Sequence, residues 1–219
     1  MSHTPHELSE EFPEHVADIA KLRQSDTHFE NLTEPWVIGT SSVRRQALLK
    51  HYLPEVQVKD IRGNVDTRIA KLEAGEYDGI ILAYAGLKRL GLERYVKQKL
   101  NLATFTPAVG QGSVAVVVRK DSAHKELLYK HLNHGPTEIA LRAERAFLRT
   151  LQGGCHTPAF AFANVIGETI TMNAGMGSAE TGDLKRVENS ATVLEANTLG
   201  ENLARQILEY VNPQSSSVS

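Results

Sequence analysis

The chain has 219 residues, 41% of them hydrophobic and 23% charged, with a formal net charge of −2. This composition excludes collagen-like, low-complexity and wholly disordered chains and leaves enough apolar residues for one large or two small domains. No apolar run reaches the ~18–20 residues of a membrane span, Met1 to Glu14 has no signal-peptide pattern, and the single Cys155 excludes an internal disulfide, so a cytoplasmic protein is expected.

The charge is unevenly spread. Residues 1–35 carry 8 acids and 2 bases, residues 36–120 carry 7 acids and 14 bases, and residues 121–219 carry 11 acids and 8 bases. A basic middle third points to an anionic partner there. It lacks the cationic density and aromatic interleaving of a nucleic-acid surface, which favours a small anionic ligand.

In chain order, residues 1–35 read as an acidic leader or the remnant of a first domain, with His15 to Arg23 as a short helix. Trp36 to Gly39 reads as a buried strand, followed by a helix capped by Ser41 or Ser42 and running to about His51. Val56 to Ile61 is a second strand, and Asn64 caps a second helix with Val65, Ile69 and Leu72 on one face and Gly75 as its stop. Gly79 to Ala83 is a third strand, and Leu87 to Leu100 is helical in character. Strands alternating with helices of this length predict an α/β fold with parallel βαβ units. Ser113 to Val118 reads as a further β-branched strand, and residues 122–133 and 136–151 as two helices. Beyond them, Ala159 to Val165, Thr169 to Ala174 and Lys185 to Val193 read as strands and Glu195 to Val211 as an amphipathic helix, together a small α+β domain. The predicted division is 36–112, an α/β ligand-binding domain; 113–152, a strand and helices; 153–212, the small domain; and 213–219, a disordered tail.

Two strand-to-helix junctions concentrate the chemistry. One is Gly39-Thr40-Ser41-Ser42-Val43-Arg44-Arg45, the other Arg62-Gly63-Asn64-Val65-Asp66-Thr67-Arg68. Such junctions lie at the sheet edge where open α/β proteins bind ligands, and a helix N-terminus favours carboxylate or phosphate. Each junction adds hydroxyls, small residues and two arginines, whose forks grip carboxylates. Ser and Asn cap helices everywhere and helix-end arginines are commonly solvated, yet arginine at a helix N-terminus opposes the helix's own dipole. Four of them predict a polyanion site, with Lys88 and Arg89 nearby. Cys155, between Gly153-Gly154 and His156-Thr157-Pro158, reads either as a small buried apolar residue or as a nucleophilic or covalently modified thiol. Gly110-Gln111-Gly112 reads as a tight turn before a strand, with no dinucleotide fingerprint around it. His124, Glu126, His131 and His134 have metal-like spacing without a second ligand cluster, so no metal site is assigned.

Gly39-Thr-Ser-Ser-Val-Arg-Arg-Gln46, Arg62-Gly-Asn-Val-Asp-Thr-Arg68, Ala85-Gly-Leu-Lys-Arg-Leu90, Pro107-Ala-Val-Gly-Gln-Gly112 and Gly153-Gly-Cys155 occur in the order found in porphobilinogen deaminases, also called hydroxymethylbilane synthases. The chain resembles that family from about Trp36 to its last helix. The resemblance implies a transferase of tetrapyrrole (haem) biosynthesis that condenses four porphobilinogen molecules head to tail with release of ammonia. It implies a dipyrromethane cofactor held through a thioether to Cys155. It also implies that Thr40, Ser41, Ser42, Arg44, Arg45, Arg62, Gly63, Asn64, Arg68 and Arg89 bind carboxylates of cofactor and growing product, with Gln111 at the pocket. The parallel βαβ domain at 36–112 then resembles a periplasmic-binding-protein-like lobe. Porphobilinogen and oligopyrroles are the expected partners, with no nucleic acid and no membrane, in a family that is usually monomeric.

The sequence also departs from the family pattern. Members have three domains, and most of the first is expected to be missing here. The family's catalytic aspartate sits in a Ser-x-Lys-Asp motif, and no Lys-Asp pair precedes Trp36. No catalytic acid is therefore assigned. A catalytically impaired binding module, or one part of a two-chain enzyme whose first domain is a separate polypeptide, is the alternative, and Ser113 to Val118 is expected to present apolar surface in need of cover.

Overall fold

The computed structural model describes residues 18–22, 35–154 and 157–211. The first sheet is built from β1 (Asp18–Leu22), β2 (Val37–Gly39), β3 (Gln57–Lys59), β4 (Gly79–Ala83) and β5 (Gln98–Lys99), in the order β3-β2-β4-β1-β5. β2 pairs parallel with both β3 and β4, so the βαβ expectation holds at the sheet's core. Helix α1 (Val43–Tyr52) connects β2 to β3, and α2 (Val65–Glu73) connects β3 to β4. β4 buries both faces, as a parallel strand covered by helices does. Its side chains alternate accordingly: Ile81 packs with Leu48, Leu49 and Phe105, whereas Ile80 and Leu82 pack with Ile69 and Leu72 on the other side.

Three expectations need correction here. Of the span His15 to Arg23 expected as a helix, the described residues Asp18–Leu22 are β1, which pairs antiparallel with β4 on one side and β5 on the other. Two unpaired sheet edges capture an extended segment that local propensity alone does not specify. The helix expected over Leu87 to Leu100 is the short α3 (Tyr84–Arg89), a 3-10 turn at Glu93–Tyr95 and β5; Gly91, at φ +65°, takes the left-handed conformation that ends α3. Residues 113–118 form no assigned strand despite their β-branched run, and Val114, Val116 and Val117 are exposed. β-propensity describes a fit to a pleated neighbour, and among the described residues no neighbour pairs with this segment.

The remaining elements are α4 (Lys125–Leu132), α5 (Gly135–Thr150), β6 (Ala159–Ile166), β7 (Thr169–Gly177), β8 (Leu184–Thr192) and α6 (Ala196–Val211). β6, β7 and β8 form an antiparallel sheet in chain order, in register from Ala159 opposite Met176 and Thr169 opposite Thr192. Its inner face packs on α5 and α6 through Ala143, Phe147, Ala161, Met172, Leu203 and Ile207. Phe160 points the other way, into the first core beside Leu48 and Phe105. Phe160 thus joins the second sheet to the first core, and α1 lies against β7 and β8.

Candidate functional site

The parallel pairing of β2 and β3 brings both strand-to-helix junctions to one sheet edge. Ser41 ties them together. Its hydroxyl donates to the Ile61 carbonyl at 2.9 Å and accepts the Ile61 amide at 3.0 Å. Ile61 is followed by Arg62, so this link holds Arg62 beside the start of α1.

Both helix starts are capped. The Ser42 hydroxyl accepts the Arg45 amide of α1. Asn64 Oδ1 accepts the amide and hydroxyl of Thr67 at 2.9 and 2.7 Å. Each cap satisfies part of a helix start, the Ser42 amide donates to Thr40 Oγ1 at 3.3 Å, and the two positive dipole ends lie at the same edge. Gly63 has φ +119°, and a side chain there would press into Thr67, so this turn needs glycine. Thr40 is buried, and its backbone donates to Lys59 O and accepts from Gln46 Nε2.

The arginines fall into two groups. Arg44 and Arg45 are buried, at 4% and 8% exposure. Arg44 Nη1 donates to the Thr106 carbonyl at 2.6 Å and Nη2 to Gln111 Oε1 at 3.4 Å, while Arg45 Nη1 donates to the Ile81 carbonyl at 3.0 Å. Both therefore brace the end of the sheet as well as bringing positive charge to it. Arg62 and Arg89 are exposed and Arg68 is half-buried. Arg68 Nε donates to Gly63 O, and Arg89 Nη2 to Gly112 O at 3.4 Å. Among the described residues no hydrogen bond or ion pair occupies the Arg62 guanidinium.

Hydrogen bonds and the chain itself link these residues in one path. It runs from Arg62 through Ile61 and Ser41 to the first turn of α1, from Arg44 to Gln111, and from Gly112 to Arg89. A cavity of ≈1240 Å³ between residues 113–118, α4, α5 and β6 touches this path only at Arg89, Gln111 and Gly112; both helix N-termini lie outside it. Cys155 and His156 lie outside the described residues, as does the expected tail at 213–219. Of the histidines with metal-like spacing, His134 caps α5 by accepting the Thr137 amide.

Two residues of this region escape the motif reading. Glu144, on α5, is 6% exposed and accepts backbone amides from Gly110 and Ala163. Burial pushes its carboxyl up to about 7, against the opposing effect of those two hydrogen bonds. Arg186, on β8, donates to Asn173 Oδ1 at 2.7 Å and Thr104 O at 2.9 Å, also donates to Thr106 Oγ1, and stacks over the Phe160 ring. The available signal for Glu144 is its spacing. With Ala140, Ala143, Phe147 and Leu148 it lies on the apolar stripe of its helix, where a carboxylate needs a partner.

Sheet edge, capped helix starts and cationic side chains lie together in a mixed α/β protein with one partly parallel and one antiparallel sheet. The family model described as "Porphobilinogen deaminase, dipyromethane cofactor binding domain" matches residues 12–126, and "Porphobilinogen deaminase, C-terminal domain" matches residues 139–209. A porphobilinogen deaminase of Desulfosudis oleivorans is 39% identical over 198 residues, which are 90% of this chain and 64% of that relative. The chain belongs to the porphobilinogen deaminase family. It spans less than two thirds of that relative's length. No helix among the described residues is long and apolar enough to cross a membrane.

Proposed function

We propose that the chain is a hydroxymethylbilane synthase-type transferase, acting in the stepwise head-to-tail condensation of four porphobilinogen molecules with release of ammonia. The observation that carries this reading is the Ser41–Ile61 link, which sets the capped start of α1 beside Arg62. The residues suit the dipyrromethane cofactor of the matched domain. Each pyrrole ring of that group carries two carboxylates, and the site offers two helix N-termini, the exposed Arg62 and Arg89, and the half-buried Arg68. When bound, the cofactor supplies the nucleophilic pyrrole carbon from which the product chain grows.

In this reading Cys155 is the attachment point, and its thiol loses a proton as the sulfur–carbon bond forms and ammonia leaves. Ser42, Asn64 and Gly63 offer the helix-start amides to carboxylates. Arg62, Arg68 and Arg89 grip them with charge-assisted hydrogen bonds. Arg44 and Arg45, braced by Thr106, Gln111 and Ile81, hold positive charge beneath the site without moving when ligand arrives. We read residues 36–112 as the ligand-binding domain, 113–152 as a connecting segment whose α5 lends its buried face to the second core, and 153–212 as the small domain. The sheet crossed by antiparallel β1 supports a periplasmic-binding-protein-like lobe. A free thiol kept for attachment fits a monomer in the reducing cytoplasm.

The exposure of Val114, Val116 and Val117 favours a second reading, in which the chain is a binding module or one part of a two-chain enzyme. Incubating the purified chain with porphobilinogen, then measuring intact mass and staining with an aldehyde reagent for pyrroles, tests both. A pyrrole-positive adduct lost in Cys155→Ser is expected; no adduct would overturn the cofactor reading. Turnover of porphobilinogen by the 219 residues alone decides for the first reading, and an adduct without turnover decides for the second.

A further inference from the structure

Glu144 sits where three parts of the molecule meet, and it splits its carboxylate between two of them. Oε2 accepts the Gly110 amide at 2.7 Å, and Oε1 accepts the Ala163 amide at 2.9 Å. The first belongs to the 107–113 turn and the second to β6, while Glu144 itself is on α5. The turn is tight. Gly110 and Gly112 have φ +72° and +85°, and the Gln111 amide returns to Ala108 O and the Ser113 amide to Gly110 O. A second bond from the small domain, Ala161 N–H to Pro107 O, holds the start of the turn. The turn then delivers two acceptors to two arginines: Gln111 Oε1 to Arg44 and the Gly112 carbonyl to Arg89.

We propose that Glu144 is a positioning residue, fixing the Gly110–Gly112 turn against α5 and β6 so that Gln111 braces Arg44 beneath the site and the Gly112 carbonyl orients Arg89 toward the ligand. The proposal rests on the carboxylate-site reading above. It adds a link between that site and the small domain. α5 and β6 flank the chain position of Cys155, so the residue that orients the arginines also joins them to both sides of the attachment point. An acid buried on an apolar stripe is costly unless its hydrogen bonds serve a purpose. These bonds cross between two domains and do not serve the helix that carries them.

Glu144 lines the cavity with Lys88, Arg89, Lys125, Glu126, His134 and Arg145, so its own share of any pH response is the part that Glu144→Gln removes. The 107–113 turn, β6 and β7 contain no titratable side chain. On α6 the charged neighbours Glu201 and Arg205 pair with each other at 3.3 Å. On α5 itself Glu138 bonds Tyr129 and Asn133, and Arg142 and Arg145 are exposed. The ionised carboxylate accepts strongly on both oxygens; protonation turns one of them into an O–H donor and weakens the bond it accepts.

Amide hydrogen exchange and porphobilinogen binding, measured on the full chain and on Glu144→Gln at pH 8, test the proposal. The amide side chain offers one acceptor where two amides need one. The expected result is at least tenfold lower protection of the Gly110 or Ala163 amide, with Met172 in the second core unchanged, and about tenfold weaker porphobilinogen uptake. Protection and uptake both within twofold of wild type would overturn it. Should Glu144→Gln lose core protection as well, the wild-type protein carries the test. After correction for intrinsic exchange, Gly110 or Ala163 loses protection at least tenfold at pH 5.5 relative to pH 8, and no change there overturns the proposal. A response of the turn in a wild-type chain that takes up no porphobilinogen would sink the ligand reading while supporting the hold of Glu144 on the turn.

Discussion

Arg44 and Arg186 converge on one residue from different domains. Arg44 donates to the Thr106 carbonyl and Arg186 to the Thr106 hydroxyl, which itself donates to Leu102 O at 2.7 Å. Thr106 is fully buried, so neither arginine can leave without stranding an acceptor. Replacing Arg186 by Ala removes the bonds to Thr106, Asn173 and Thr104 and the stacking over Phe160. We expect a loss of about 2–3 kcal/mol in urea unfolding. Arg186→Lys is expected to recover less than half of it, because an ammonium has no planar fork. A loss under about 0.5 kcal/mol in Arg186→Ala would show that the two domains do not depend on this contact.

The site arginines should separate by burial. Arg44→Ala is expected to lower stability by about 1.5–3 kcal/mol and to weaken ligand uptake as well, because its guanidinium holds the framework. Arg62→Ala is expected to leave the unfolding midpoint within about 0.5 kcal/mol of wild type and to weaken porphobilinogen uptake by about 1.5–3 kcal/mol. Thermal melts paired with binding isotherms check both. Equal effects of the two variants on stability would contradict the division drawn from their exposure.

Glu144 gives stability a distinct pH dependence. Its folded-state value is raised to about 7 from 4.5, so between these values the folded chain holds a proton that the unfolded chain has released. Its contribution is therefore greatest below about pH 4.5 and declines as pH rises to about 7, by up to about 3 kcal/mol. The difference in unfolding free energy between wild type and Glu144→Gln should follow that course. A difference flat from pH 4.5 to 8 would mean that the buried carboxyl titrates as it does in the unfolded chain.

Val117 is 91% exposed and Val114 74%. Val117→Lys removes apolar surface that contributes no packing. The unfolding midpoint should stay within about 0.5 kcal/mol of wild type, and self-association by analytical ultracentrifugation should fall. A marked loss of stability would show that the segment is covered in solution.

The legible parts of the sequence were those whose signals are local and agree. The caps at Ser42 and Asn64 mark α1 and α2, and the apolar run at Gly79 to Ala83 matches β4 at both ends. The small domain's three strands and closing helix lie within a few residues of the turn and periodicity signals. What failed depended on distant partners. β1 is a strand because β4 and β5 flank it, and residues 113–118 are not one because no described strand does. The junction motifs mark the sheet edge to which the parallel pairing of β2 and β3 brings both helix starts. They could not distinguish Arg44, turned into the framework, from Arg62, left exposed, because that difference is set by Thr106 and Gln111 far along the chain. Glu144 looks like an ordinary helix acid until its place on the apolar stripe is counted.

β1 also governs how the first domain comes together. β4 and β5 do not pair with each other; each pairs with β1, which precedes them by two helices and two further strands. The sheet is therefore completed by an early segment that must wait for later ones, a non-local closure that slows folding. Until β1 docks, β4 presents an open edge able to recruit a strand from another chain. Deleting residues 1–22 would leave the other four strands as a three-stranded sheet and a stray segment. Misassembly during synthesis should accordingly concentrate at the β1 slot, well away from the arginines.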